Sequence, residues 1–179
     1  RKSDEILKAE SYLGITLGAT YKTKRLPNNK LLELCGRIQQ PIVLLGGHDV
    51  INEATLIEQK FASSHRILNL VSKLNLNETA AIVDKIPLLL TYDSALMHLR
   101  AAFKKPLMTI WGNTVPDFGM FPYFGNFTVY YKQYEVSGLS CRPCSKIGYE
   151  KCPKKHFKCM MDLNVSRIND EIHHFYEDL

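Results

Sequence analysis

The sequence predicts an α/β protein, a parallel sheet covered by helices on both faces. Short apolar, β-rich runs recur along the chain, and helix-period segments of about ten residues separate them. Strands connected in that way close by right-handed crossovers into a parallel sheet. The 179 residues are 45% hydrophobic, which is enough for one cored domain and short for two.

The first run, "YLGITLGA", reads as a strand, and "NNKLLELCGRI" after Pro27 reads as a helix starting at Asn28 or Asn29. "PIVLLGG" is the second strand, followed by helix-spaced apolar residues in "VINEATLIEQKF". "RILNLV" is the third strand. In "NLNETAAIVDK", Asn75 and Glu78 stand at the spacing of a capping box. "PLLLTY", the helix "SALMHLRAAF", "PLMTIWGN" and a sixth run, "FTVYYKQ", complete the sheet, and "NVSRINDEIHHFYEDL" closes the chain as a helix. No repeat or linker precedes Ser137, where turn residues and cysteines take over. The expected organisation is one ligand-binding domain over residues 1–136, with residues 137–179 forming a Cys-rich loop and closing helix packed on it.

Lys and Arg number 23 against 18 Asp and Glu, a formal +5. The excess is local: Lys22, Lys24 and Arg25 form one cluster, and Arg142, Lys146, Lys151, Lys154, Lys155 and Lys158 form another. Such clusters suit an anionic small ligand, a nucleic acid or an acidic membrane surface equally. No apolar run approaches the roughly 20 residues of a spanning helix, and no signal segment opens the chain, so a cytoplasmic protein is expected. The chain starts at Arg1 and reads as a piece of something longer.

Ligands of open α/β sheets lie beyond the carboxyl ends of the strands. Asp93 and Ser94 fall at that edge, where a helix starting near Ser94 offers free N–H groups and a positive dipole end to phosphate. His98 falls one turn in, on the face of Ser94 and Ala101. The alternative is that Asp93 caps the helix and His98 packs or faces water. Three further strand ends face the same side. "LGATYKTKRLP" brings Thr20, Thr23 and Lys24 to bind a diphosphate. "LLGGHD" allows close backbone approach at Gly46 and Gly47, with Asp49 as acceptor for ribose or sugar hydroxyls, and "IWGNT" adds Gly112, Asn113 and Thr114. Neither GxGxxG nor GxxxxGK[ST] occurs, so a dinucleotide fingerprint and a P-loop are both unsupported.

Cys35 lies in a helical pattern and reads as a buried apolar residue. Cys141, Cys144, Cys152 and Cys159 form C-x2-C-x7-C-x6-C, a donor set that suits structural zinc, with free or redox-labile thiols as the alternative.

Taken in order and at their spacings, "LGITLGATYKTKRLP", "PIVLLGGHDVINEA", "NLVSKLNLNETAAIV", "TYDSALMHLRAAFKKPLMTIWGNTVP" and the cysteine tail resemble the C-terminal half of the ADP-heptose:lipopolysaccharide heptosyltransferases, glycosyltransferase family 9. The resemblance implies a Rossmann-like, doubly wound domain, one half of a GT-B enzyme. It implies an inverting transfer, without a metal or other catalytic cofactor, from ADP-heptose to a lipopolysaccharide core acceptor. The acceptor site and the general base are then expected in an N-terminal domain outside this chain, which alone would be inactive, with peripheral contact to the inner membrane and no nucleic acid partner. By position, Thr20 and Lys24 resemble phosphate contacts, Leu74 a residue beside the adenine, and Asp93, Ser94 and His98 the segment meeting sugar and phosphates. Asp49 resembles the acid after the Gly-Gly turn. Ala95 stands where the family usually has glycine, and Arg100 adds a charge to the same helix or faces water. A different reading is a non-enzymatic, zinc-stabilised α/β module binding nucleic acid or another polyanion. The enzyme reading needs Lys24, Asp93 and His98 to converge at one sheet edge, whereas the module needs Lys146 to Lys158 to form an open basic stripe.

Overall fold

The computed structural model describes residues 12–64 and 66–179. The first eleven residues of the expected 1–136 domain therefore lie outside the described residues. Six strands, β1 (Leu13–Thr16), β2 (Ile42–Leu45), β3 (Ile67–Asn69), β4 (Leu88–Tyr92), β5 (Leu107–Trp111) and β6 (Tyr131–Glu135), form one sheet in the order β3-β2-β1-β4-β5-β6. Every pairing is parallel. This is the strand order of the doubly wound Rossmann-like fold, with its reversal between β1 and β4.

Alternate residues of each central strand enter different cores, as the two-residue period of a strand requires. Ile42, Leu44, Leu88, Leu90 and Ile110 join one cluster with α1 (Asn28–Arg37), α2 (Ile51–Lys60) and the last helix. Val43, Leu45, Leu89 and Trp111 join another with α3 (Leu76–Lys85) and α4 (Ala95–Ala102). A sheet buried on both sides explains why β2 and β4 are continuous apolar runs without alternation.

The helix ends follow local chemistry. Asn75 Oδ1 accepts from the Glu78 N–H at 2.9 Å while Glu78 Oε2 accepts from the Asn75 N–H at 3.0 Å, a complete capping box. A short α5 (Lys158–Met161) leads to α6 (Val165–Glu177), whose cap Asn164 accepts from the Arg167 N–H at 3.1 Å. Val165, Ile168 and Ile172 of α6 are buried in the same cluster as Leu31 and Leu34 of α1, so residues 137–179 pack on the sheet's own core. The sixth strand begins four residues later than the sequence run suggests. Phe127 is exposed under Lys104, 3.5 Å from its ring centroid, and pairing with β5 begins only at Tyr131.

Candidate functional site

Neighbouring strands β1 and β4 send their connections to opposite faces, which opens a crevice at their carboxyl ends. A cleft of about 480 Å³ occupies it. Gly18–Thr20 after β1, Gly46, Gly47 and Asp49 after β2, Leu74 before α3, and Ser94–Leu96 at the start of α4 line the walls. Its floor carries a chain of hydroxyls across the switch point: Thr16 Oγ1 lies 2.6 Å from Thr91 Oγ1, which lies 3.1 Å from Ser94 Oγ. Ser94 is the N-cap residue of α4 but makes no side-chain cap bond, so the helix's first N–H groups remain for a ligand. A Cβ on Gly46 would stand 2.5 Å from Val50 Cγ2, so glycine is what lets this wall pack as closely as it does.

Beside the cleft, Lys24 and Asp93 are both buried and meet directly, Nζ to Oδ2 at 2.6 Å. Thr114 Oγ1 donates to the same carboxylate oxygen at 3.0 Å. Three strand-end segments thus converge on one carboxylate. Asp93 is therefore neither the cap of α4 nor an open acceptor, and Lys24 is a neutralised cation whose charge is directed at Asp93. Asp49 is exposed and paired with Arg25 Nη2 at 2.5 Å, while Arg25 Nε donates to the Ala19 carbonyl at 2.8 Å. Arg25 thereby fixes the β1 loop against the β2 loop.

Two expectations on α4 need correction. His98 is exposed and does not line the cleft, because the buried side of α4 is set by Met97, Arg100 and Ala101. At 100° per residue, His98 stands about 100° from Met97 and about 160° from Arg100, so it falls on the outer flank although only about 60° separates it from Ala101. Arg100 does not face water: it is fully buried, and its guanidinium donates to the carbonyls of Val83, Ile86 and Pro87 and, through Nε, to Pro106. It ties α4 to the end of α3 and to the starts of β4 and β5. Burial pushes the guanidinium down to about 10, with the Asp84 carboxylate acting in the opposite direction.

With this geometry in place, comparison with known proteins assigns the family. The profile of glycosyltransferase family 9 (heptosyltransferase) matches residues 1–155. The chain belongs to that family. A Campylobacter jejuni lipooligosaccharide heptosyltransferase 2 is 28% identical over 107 residues, 60% of this chain and 31% of the relative. The structure of E. coli ADP-heptose lps heptosyltransferase II is similar with a TM-score of 0.74 at 18% identity, over 99% of this chain and 52% of that one. E. coli heptosyltransferase WaaC with ADP gives 0.63 at 17% identity, over 97% and 48%. The chain therefore spans about half the length of these solved structures.

In this family 9 chain the cysteine segment clamps the site from outside. Thr23 and Tyr149 are joined by three hydrogen bonds: the Thr23 N–H and Oγ1 donate to the Tyr149 carbonyl at 3.0 and 2.8 Å, and the Tyr149 N–H donates to Thr23 Oγ1 at 2.8 Å. Arg142 donates to the carbonyls of Gly112 at 2.6 Å and Thr114 at 3.0 Å and pairs with Glu135 at 2.6 Å. The turn bearing Lys24 and the loop bearing Thr114 are thus held by one external segment. The four thiols lie near one another: burial first and then the neighbouring thiols push those of Cys144 and Cys159 up, and Cys141 Sγ stands 3.8 Å from His156 Nε2. Cys144 Sγ donates to the Cys141 carbonyl at 2.8 Å, Cys159 is buried, and no three ligand-type side chains are grouped to hold an ion among the described residues. Cys35 is buried, and burial pushes its thiol up to about 12.

Thr16 and Thr91 were not singled out by the sequence as site residues, and Arg25 and Arg142 only as members of basic clusters. A signal existed for the threonines, each a hydroxyl near the end of an otherwise apolar strand. None existed for Arg142, which lies 30 residues from its Gly112 partner.

Proposed function

We propose that this chain is the donor-binding portion of a heptosyltransferase that moves a heptose from ADP-heptose to a lipopolysaccharide core saccharide. The observation that carries the reading is the switch-point cleft, whose walls are glycine-rich backbone, a helix start and the hydroxyls of Thr16, Thr20 and Ser94. Such a wall suits a diphosphate, and Leu74 and Leu76 offer an apolar surface to a base. Relatives named as ADP-heptose enzymes, and one solved with ADP, support the same choice of nucleotide.

The reaction is inverting and needs no metal. An acceptor hydroxyl attacks the anomeric carbon from the face opposite the diphosphate, the new C–O bond forms, and the bond to the phosphate oxygen breaks as ADP leaves. This chain's part is to stabilise charge on that departing diphosphate through the cleft's N–H groups, Thr20 and Lys24. The base that takes the acceptor proton belongs to an upstream domain, as does the acceptor site. A peripheral membrane contact fits an acceptor carried on lipid, and among the described residues no helix is long and apolar enough to cross a membrane. The polyanion-module reading is not favoured, since the matching family model and the relatives are heptosyltransferases.

Calorimetric titration with ADP and UDP tests the reading. ADP should bind in preference to UDP, in the presence of EDTA, and Ala95→Leu should weaken it about tenfold or more because the added carbons enter the cleft. Unchanged ADP affinity in that variant, or no binding by the wild type, would refute the assignment.

A further inference from the structure

We propose a second anion site, separate from the donor cleft, that takes a phosphate group carried on a saccharide. It is a cleft of about 320 Å³ between the turn at Lys22–Lys24 and residues 150–157, lined by Lys22, Thr23, Lys151, Cys152, Lys155 and Phe157. Three lysines and one acid, Glu150, line it. None of the three lysines has an acid within ion-pair distance among the described residues, whereas Lys24, Arg25, Lys132 and Arg142 all do. Three cations against a single acid leave an excess of like charge, and an anion bound among them relieves that repulsion.

The wall is built, not incidental. Lys155 and Phe157 have φ of 64° and 48°, a left-handed region that non-glycine residues rarely adopt. The Lys155 N–H closes this turn on the Cys152 carbonyl at 3.0 Å. The opposite wall is anchored by the three Thr23–Tyr149 hydrogen bonds. Phe157 adds a half-buried aromatic wall. Three cations suit a phosphate, and a ring beside them suits the C–H face of the sugar bearing it. A concave site of this size favours a single group over a flat lipid surface. Lys22 lines this cleft while Lys24, two residues on in the same turn, is directed at Asp93, so the turn separates two distinct anion sites.

The test is calorimetry on the full chain with glucose 6-phosphate as probe, in the presence and absence of saturating ADP. Glucose, inorganic phosphate and vesicles containing phosphatidylglycerol are the comparison ligands. Glucose 6-phosphate should bind with ADP present, should weaken with salt, and should lose about tenfold in affinity in Lys151→Ala and again in Lys155→Ala. ADP affinity should be unchanged in both variants. Protection of Cys152 from iodoacetamide, read by mass spectrometry, should accompany probe binding while Cys141 stays as reactive as before. No binding by the wild type, unchanged affinity in the variants, or displacement of the probe by ADP would overturn the site. Inorganic phosphate binding as tightly as the sugar phosphate, or vesicles binding while it does not, would overturn the saccharide assignment. Failure of ADP to bind would count against the donor reading alone, because the probe titration without ADP stands by itself.

Discussion

Removing either partner of the Lys24–Asp93 pair should destabilise the fold far more than an ordinary ion pair does. Their side chains are 9% and 6% exposed, with 2.6 Å between Nζ and Oδ2. At that distance, and an effective dielectric of about 20, the attraction is about 6 kcal/mol, largely offset by the cost of taking both charges out of water. An intact pair is therefore near neutral against an apolar pair of similar size, whereas a lone survivor is buried without counter-charge. Lys24→Met and Asp93→Asn should each lose about 3–5 kcal/mol in urea unfolding, or roughly 6–20 °C in Tm for a chain of this size. The double variant Lys24→Met/Asp93→Leu should recover at least half of the larger loss, because it removes the orphaned charge. ADP affinity should not recover with it if Lys24 leaves Asp93 for the diphosphate. Single losses below about 1 kcal/mol, the range of a surface pair, or losses that simply add in the double, would refute the reasoning.

Arg100→Met strands several buried carbonyls and should cost at least about 3 kcal/mol in the same unfolding assay, with Arg100→Lys recovering little because an ammonium cannot span the fork. Full stability in Arg100→Met would show those bonds to be replaceable. A Cβ on Gly112 would stand 2.6 Å from the Thr23 carbonyl and 2.6 Å from Met160 Cε, so Gly112→Ala should lose about 1–3 kcal/mol and weaken ADP binding, while Gly18→Ala, with nothing within 4 Å, should fold normally. Burial pushes the Cys159 thiol up to about 11 from an ordinary value of 9.0. The unfolded chain then releases that proton first, so this group's contribution to stability is complete below about pH 9 and falls as pH rises toward about 11. Iodoacetamide near neutral pH should label Cys141 and Cys152 well before Cys159 and Cys35, and equal rates would contradict the burial.

The strands were legible because a sheet covered on both faces demands near-continuous apolar runs, and β2, β4 and β5 are such runs. The capping box at Asn75 was legible because its chemistry is complete within four residues. Helix phase was not fully legible. Ser94, His98 and Ala101 share a plausible spacing, yet the packing of Met97 and Arg100 against the sheet rotates His98 outward. The polar contacts that shape the site were hidden for a simpler reason: Lys24 lies 69 residues from Asp93, and Thr114 lies 21 from it. Nothing local in those segments says that they will meet. Sheet topology brings their loops to one edge, but the choice of ion pair over open ligand contact is made only by burial.

That choice bears on how a donor would be held. With Lys24 facing Asp93 and Arg25 facing Asp49, the cations nearest the cleft are already paired, and its walls offer N–H groups, hydroxyls and one helix start. A helix N-terminus contributes about 0.3–1 kcal/mol to an adjacent anion at a surface, too little alone to hold a diphosphate in water. On the proposed donor reading, tight binding would draw on Lys24 as well, by sharing it between Asp93 and a phosphate oxygen or by turning it from one to the other. The carboxylate then holds the lysine in place before the donor arrives, and Thr114 remains to bond Asp93 when the lysine is drawn away. The clamp formed by Thr23, Tyr149 and Arg142 fixes the two loops that carry Lys24 and Thr114. A donor can then move one side chain without moving the backbone that presents it.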